Sequence, residues 1–289
     1  MFTIENAHLR VVAGSRGAEL HSIFNKKAGL EYLWNGDPAF WAKQSPVLFP
    51  VIGALKNDGY FFNGQKYQLG RHGFARESEF SVSAHNGDAL VFTLESSPAT
   101  LAKYPFVFKF DIGYSLTETS LQVNYQISNT GGTPLYFSVG GHPAFRIPLV
   151  AGRSYSDYYL EFNHPEHAGR WPISKDGLIE TVPVVLFNGT SRLPLTKELF
   201  QQDALVFKGL ASNSVELKSD QDAHGLSFDF TGFPYLGIWA AKNADFVCIE
   251  PWCGIADSVD SDRQLVNKEG IHVLQAAKTF ERTWSVTLF

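Results

Sequence analysis

The chain has 289 residues, 44% of them hydrophobic and 14% aromatic, with 24 basic against 29 acidic side chains and a formal charge of −5 at pH 7. That composition supplies a large core, and the acidic balance excludes a dedicated nucleic-acid surface, which needs a basic stripe. No apolar run reaches the roughly 18–20 residues of a membrane span, and Met1 to Asn6 lacks a basic segment followed by an apolar one, so no secretory signal is expected.

In chain order the sequence predicts short strands. Residues 7–13 alternate loosely. Residues 61–68 read as a hairpin, because Asn63-Gly64 between apolar runs is a strong local turn signal. Residues 79–84 and 89–95 form a second pair across His85 to Asp88, and 106–116 with 120–128 a long hairpin turning at 117–119. Further strands are expected at 135–139, 156–162, 215–217, 226–230, 235–240, 246–249 and 279–289. Helical signals are few: a turn or two at 38–43, and 195–202 with Thr196 as N-cap before Glu198. Many short strands with turn signals every 8–12 residues predict an all-β sandwich or barrel with a few short helices. No linker divides the chain, so one domain over 1–289 is expected, with polar excursions at 152–153 and 163–176. The two cysteines, Cys248 and Cys253, are too few for a disulfide scaffold and read as free thiols of a cytoplasmic protein.

Three separated segments each carry an acid–base group beside Gly, Pro or aromatic residues: Arg71-His72-Gly73-Phe74-Ala75-Arg76, Gly140-Gly141-His142-Pro143-Ala144-Phe145, and Cys248-Ile249-Glu250-Pro251-Trp252-Cys253-Gly254. Aromatics pack on the C–H faces of a sugar and polar groups reach its hydroxyls, while imidazole and carboxylate exchange protons near neutral pH. Glu250 closes an apolar run and precedes Pro251, which predicts a partly buried carboxyl with a raised pKa. His142 follows two glycines, which let backbone approach a ligand, and precedes Pro143, which stiffens the turn. If the 72–76 segment is a strand, positions 72, 74 and 76 share one face, and Arg76 forks onto sugar hydroxyls or a phosphate. The bland readings are a loop-capping carboxylate, core histidines and a surface ion pair. The remaining histidines, among them His164 and His167 in a polar loop, show no metal-ligand spacing.

The three segments, in this order, resemble the aldose 1-epimerase (galactose mutarotase-like) superfamily, nearest its LacX-like branch, over essentially the whole chain. The resemblance implies a large antiparallel β-sandwich with a sugar cleft on one open face, and interconversion of the α and β anomers of an aldose. It implies Glu250 as general base on O1, His142 as general acid on the ring oxygen, on opposite sides of the sugar, and His72 as a group that helps polarise that oxygen. Asp203 matches the carboxylate that holds a sugar hydroxyl, and Trp239 and Phe74 are candidates for a stacking face. Lys56 stands where well-studied galactose mutarotases carry an Asn-Arg pair, a departure that bears on galactose preference. Arg71, Arg76 and Lys56 together keep a hexose 6-phosphate open as substrate. A non-catalytic carbohydrate-binding module and, more weakly, a metal-dependent β-barrel enzyme are the rivals of another class. The expected partner is a small-molecule aldose, with no nucleic acid, membrane, metal or organic cofactor, and a monomer or homodimer as the state of assembly.

Overall fold

The computed structural model describes residues 1–289. Its largest element is a nine-stranded antiparallel sheet, in spatial order Thr190–Pro194, Tyr158–Glu166, Ser214–Ser219, Leu226–Asp229, Thr279–Leu288, Ser120–Asn129, Phe108–Thr117, Ala89–Glu95 and Ser81–His85. The central strands follow the two-residue period of pleated backbone. In Phe108–Thr117, the side chains of Phe108, Phe110, Ile112, Tyr114 and Leu116 are all buried. The hairpin to Ser120–Asn129 turns through Glu118, whose φ is 51°.

A second sheet runs Leu205–Lys208, Tyr235–Trp239, Phe246–Cys253, Val139–Gly141 and Val47–Leu48, with Ala144–Arg146 also paired to Phe246–Cys253. The two sheets close on one core. Phe145 of the second packs edge-on against Phe228 of the first, 5.8 Å between centroids, and Phe228 stacks on Trp284. The core cluster of 69 buried residues runs from Ile4 to Leu288. Phe2–Glu5, Leu9–Ala13, Leu20–Asn25 and Leu30–Glu31 make a separate four-stranded sheet.

Every residue of Phe246–Cys253 is buried. Alternation gives this strand two faces. Val247, Ile249 and Cys253 belong to the main core, while Glu250 and Trp252 line a cleft on the other side. A smaller apolar cluster, including Leu48, Ile52, Ile179, Val206, Trp252 and Ile255, lies beneath that cleft.

The Asn63-Gly64 hairpin joins Gly59–Phe62 to Gln65–Gln68. The helical signal at 195–202 is a 3-10 turn, Lys197–Phe200, with Thr196 at its N-cap. Residues 38–43 form turns and bends rather than a helix, held in part by the Trp34 Nε1–H donating to the Trp41 carbonyl at 2.9 Å. A helix that the sequence reading passed over, Pro98–Leu101, has Ser97 and Thr100 in a reciprocal capping box. Both cysteines are free and buried, and no helix is long and apolar enough to cross a membrane.

Candidate active site

The cleft has a volume of about 450 Å³, within the range of small-molecule sites. It gathers side chains from distant segments: His72, Arg71 and Arg76, His142, Asp203, Trp239 and Glu250.

His142 and Glu250 are in contact, with Nε2 of the imidazole 3.2 Å from Oε2 of the carboxyl, and their side chains are 10% and 2% exposed. Burial drives the two groups in opposite directions. It lowers His142 to about 3, helped by the positive charges of Arg76 and Arg71. It raises Glu250 well above the usual carboxylate value, with Asp203 adding to the rise and Trp252 and Arg71 opposing it. These opposite directions favour a neutral imidazole beside a protonated carboxyl. The two groups stand side by side, which corrects the expectation that they face each other across the sugar.

The glycines before His142 serve packing rather than ligand approach. A Cβ at Gly140 would meet the Pro251 carbonyl oxygen at 2.8 Å, and one at Gly141 would meet the Tyr125 hydroxyl at 2.9 Å. Neither glycine lines the cleft; they bring their strand close to its sheet partner on one side and the nine-stranded sheet on the other, which aims His142 outward.

His72 sits in a turn, not a strand. Its φ is 67° and that of Gly73 is 71°, and Ala75–Glu77 is a 3-10 turn. This breaks the expected sharing of one face by 72, 74 and 76. His72 and Arg76 reach the cleft, while Phe74 turns into the core, stacked on Phe108 at 6.1 Å and edge-on to Phe49. His72 Nδ1 accepts from the Gly53 amide at 3.1 Å. Burial, with the neighbouring His142 and arginines, lowers its pKa. Its ring lies edge-on to His142, 5.7 Å between centroids.

Lys56 also lies off the cleft. Its ammonium donates to the Ser261 carbonyl at 3.2 Å. Arg71 and Arg76 do reach the cleft, and neither pairs with a carboxylate; Arg76 Nε is buried without a hydrogen-bond partner. Asp203 lines the cleft with φ at 90°, and its Oδ1 accepts from the Ala204 amide at 2.7 Å.

The sequence reading missed Trp41. Its ring stacks on His142, 5.0 Å apart and inclined by 30°, and lies edge-on to Trp239 at 5.4 Å. The available signal was the Phe40-Trp41 pair in a short turn-forming stretch. It also missed the contribution of the excursion after residue 163, from which Ile173, Gly177 and Ile179 form a wall. One three-donor cluster exists, His142, Cys248 and Glu250, with donor atoms within 4.8 Å of one another. Burial raises both the Cys248 thiol and the Glu250 carboxyl, so both hold protons, a state poorly suited to a cation.

A sequence model of the aldose 1-epimerase family matches residues 1–263. The chain is 33% identical to the plasmid-encoded protein LacX of Lactococcus lactis, over 99% of this chain and 98% of that one. Among solved structures, it superposes with a TM-score of 0.94 on a galactose mutarotase related enzyme from Lactobacillus acidophilus, at 35% identity over 100% of this chain and 97% of that one. A galactose mutarotase-like protein from Lactobacillus casei gives 0.93 at 32% identity, each chain covered fully. With its antiparallel sandwich and a cleft that joins the three acid–base segments, the chain belongs to the aldose 1-epimerase family, a family of isomerases.

Proposed function

We propose that this chain interconverts the α and β anomers of a hexose, with Glu250 and His142 as its proton-transfer pair. The observation that carries this reading is the 3.2 Å contact between them in a buried cleft, where their shifts leave one proton for the two. Mutarotation requires one proton to leave O1 while another reaches the ring oxygen. Both oxygens are bonded to C1, so an acid and a base side by side can serve them. The 3.2 Å contact lets the proton of the pair lie on His142, which leaves Glu250 as a carboxylate. The carboxylate then takes the O1 proton and the imidazolium protonates the ring oxygen. The C1–ring-oxygen bond breaks as C1=O1 forms, the C1–C2 bond rotates, and the same steps in reverse close the ring on the other face. His72 polarises the ring oxygen, Asp203 holds a hydroxyl, and Trp41 and Trp239 offer stacking surfaces to the sugar. Proton transfer coupled to reversible cleavage of the C1–ring-oxygen bond involves no change of oxidation state, so these steps call for no metal or organic cofactor.

A hexose 6-phosphate is a second reading, favoured by Arg71 and Arg76, two cleft guanidiniums without an acidic partner. A sugar-binding module has no use for a buried pair that holds a transferable proton.

Optical rotation of freshly dissolved α-glucose and α-galactose, with NMR of α-glucose 6-phosphate, tests these readings. Faster approach to anomeric equilibrium with a free sugar is the expected outcome. Acceleration confined to the phosphate ester would select the second reading, and sugar binding without acceleration of any anomerisation would leave only the binding module. Glu250→Gln is expected to lose about 10²–10⁴-fold in rate while still binding sugar.

A further inference from the structure

We propose that Asp257 and Lys268, a buried ion pair behind the cleft, position His72 and fix which of its nitrogens carries the proton. This rests on the reading of His72 as part of a mutarotase site.

The pair is enclosed: Lys268 Nζ lies 2.8 Å from Asp257 Oδ1 and both side chains are 3% exposed. A charge pair held this deep in the protein needs good geometry and further hydrogen bonds to offset its lost hydration. Asp257 has further bonds, and they lead to two segments, the 53–56 loop and the wall at Ile179. Its Oδ2 accepts from the Lys56 amide at 2.9 Å, its own amide donates to the Ala54 carbonyl at 2.9 Å, and its carbonyl accepts from the Ile179 amide at 2.8 Å. Neither Asp257 nor Lys268 lines the cleft, but Gly53, Ile179 and Ala256 do.

The loop that Asp257 clamps through Ala54 and Lys56 is the loop that holds His72. The Gly53 amide donates to His72 Nδ1 at 3.1 Å, and the His72 amide donates back to the Gly53 carbonyl at 2.9 Å. A nitrogen that accepts an amide proton has none of its own, so the neutral ring carries its hydrogen on Nε2, as a donor. The fit is close: Gly53 has φ at 65°, and a Cβ there would meet Ala256 Cβ at 2.4 Å. A small displacement of residues 53–56 against 256–257 would therefore release Nδ1 and let the ring take the other tautomer. The same clamp, through Ile179, steadies the wall on which Arg71 lies; a Cβ at Gly177 would meet its guanidinium at 1.9 Å.

The test combines long-range proton–nitrogen NMR at the histidine rings with anomerisation kinetics. The His72 signal, assigned by its loss in His72→Gln, is expected to show a protonated Nε2 and a bare Nδ1 in the unaltered protein; a protonated Nδ1 there would overturn the proposal without any variant. Removing one member of a buried pair strands the other, so the informative variant is the double change Asp257→Asn with Lys268→Met, which leaves no lone buried charge. In that variant, shown to be folded by a cooperative melt, the His72 signal is expected to become a tautomer mixture. Its kcat is expected to fall by up to about 10²-fold, the cost of misplacing a functional group from a distance, with a smaller change in KM. An unchanged His72 signal in the folded double variant would overturn the proposal, whatever its rate. If the unaltered protein accelerates no anomerisation, the mutarotase reading fails by itself and the NMR arm still decides the role of the pair.

Discussion

The two large sheets are built to different standards. The nine-stranded sheet has long, regular strands; Phe108–Thr117 and Ser120–Asn129 pair residue for residue over their full length. The sheet beneath the cleft is made of short pieces, including Val47–Leu48 and Val139–Gly141, and its neighbouring loops hold His72 and Asp203 at φ of 67° and 90°. Regular pairing satisfies backbone groups and buries alternate side chains, which is what stability asks. Aiming a histidine, a carboxylate and two arginines at one volume asks for turns and strained backbone. One sheet supplies the rigid reference against which the other can be irregular.

The sharpest way to break this division is a pair of substitutions. Glu250→Gln should remove about 10²–10⁴-fold of the rate, with the fold kept. Ile112→Ala, at a fully buried position of the regular sheet, should do the reverse: a stability loss of about 2–5 kcal/mol with kcat per folded molecule unchanged. Denaturant titration and polarimetry on both variants check this, and a large rate loss in folded Ile112→Ala would end the separation of roles.

Proton linkage gives the next effect. His142 has its folded pKa lowered to about 3 from 6.5, so below 6.5 the unfolded chain takes up a proton that the folded one refuses. That contribution to stability is present above 6.5 and is lost as pH falls through this window. Glu250 is raised, so its contribution is present below 4.5 and is lost as pH rises. Melting curves should therefore show Glu250→Gln gaining on the unaltered protein with rising pH, and His142→Gln gaining on it as pH falls from 6.5 to about 3. Parallel curves for either variant would mean that the group titrates alike in both states. The same logic puts the acid limb of kcat/KM near 3 rather than 6.5.

Trp41→Ala should have the smallest effect. Losing an aromatic face worth about 0.5–1.5 kcal/mol weakens sugar binding by up to roughly tenfold. It also opens His142 to water, so the acid limb should move up toward 6.5. An unmoved limb would show that burial of His142 does not depend on this ring.

The regular sheet was largely legible because its signals are local. Alternation in 108–117 announces a half-buried strand, much as Asn63-Gly64 announces the separate two-stranded hairpin. At the cleft, motif residues were legible one by one, and their meeting was not. Lys56 and Arg71 each sit in a glycine-containing, loop-forming stretch of sequence, but one is tied to Ser261 and the other reaches the cleft. A two-residue period would put Phe74 on one face with His72 and Arg76, and left-handed backbone at His72 and Gly73 interrupts it. Trp41 has no periodic partner, since only long-range packing brings it over His142. The side-by-side geometry of His142 and Glu250 depends on strand register, which no single segment encodes.

The backbone at Asp203 sets a direction for anyone who selects variants of this protein. A φ of 90° lies beyond the left-handed region that Asp tolerates, and such residues cost about 1–3 kcal/mol unless glycine replaces them. Selection for heat resistance alone should enrich Asp203→Gly, which relieves the backbone and removes a cleft carboxylate in one step. A thermostable library screened without a sugar in the assay would drift away from catalysis at this position first.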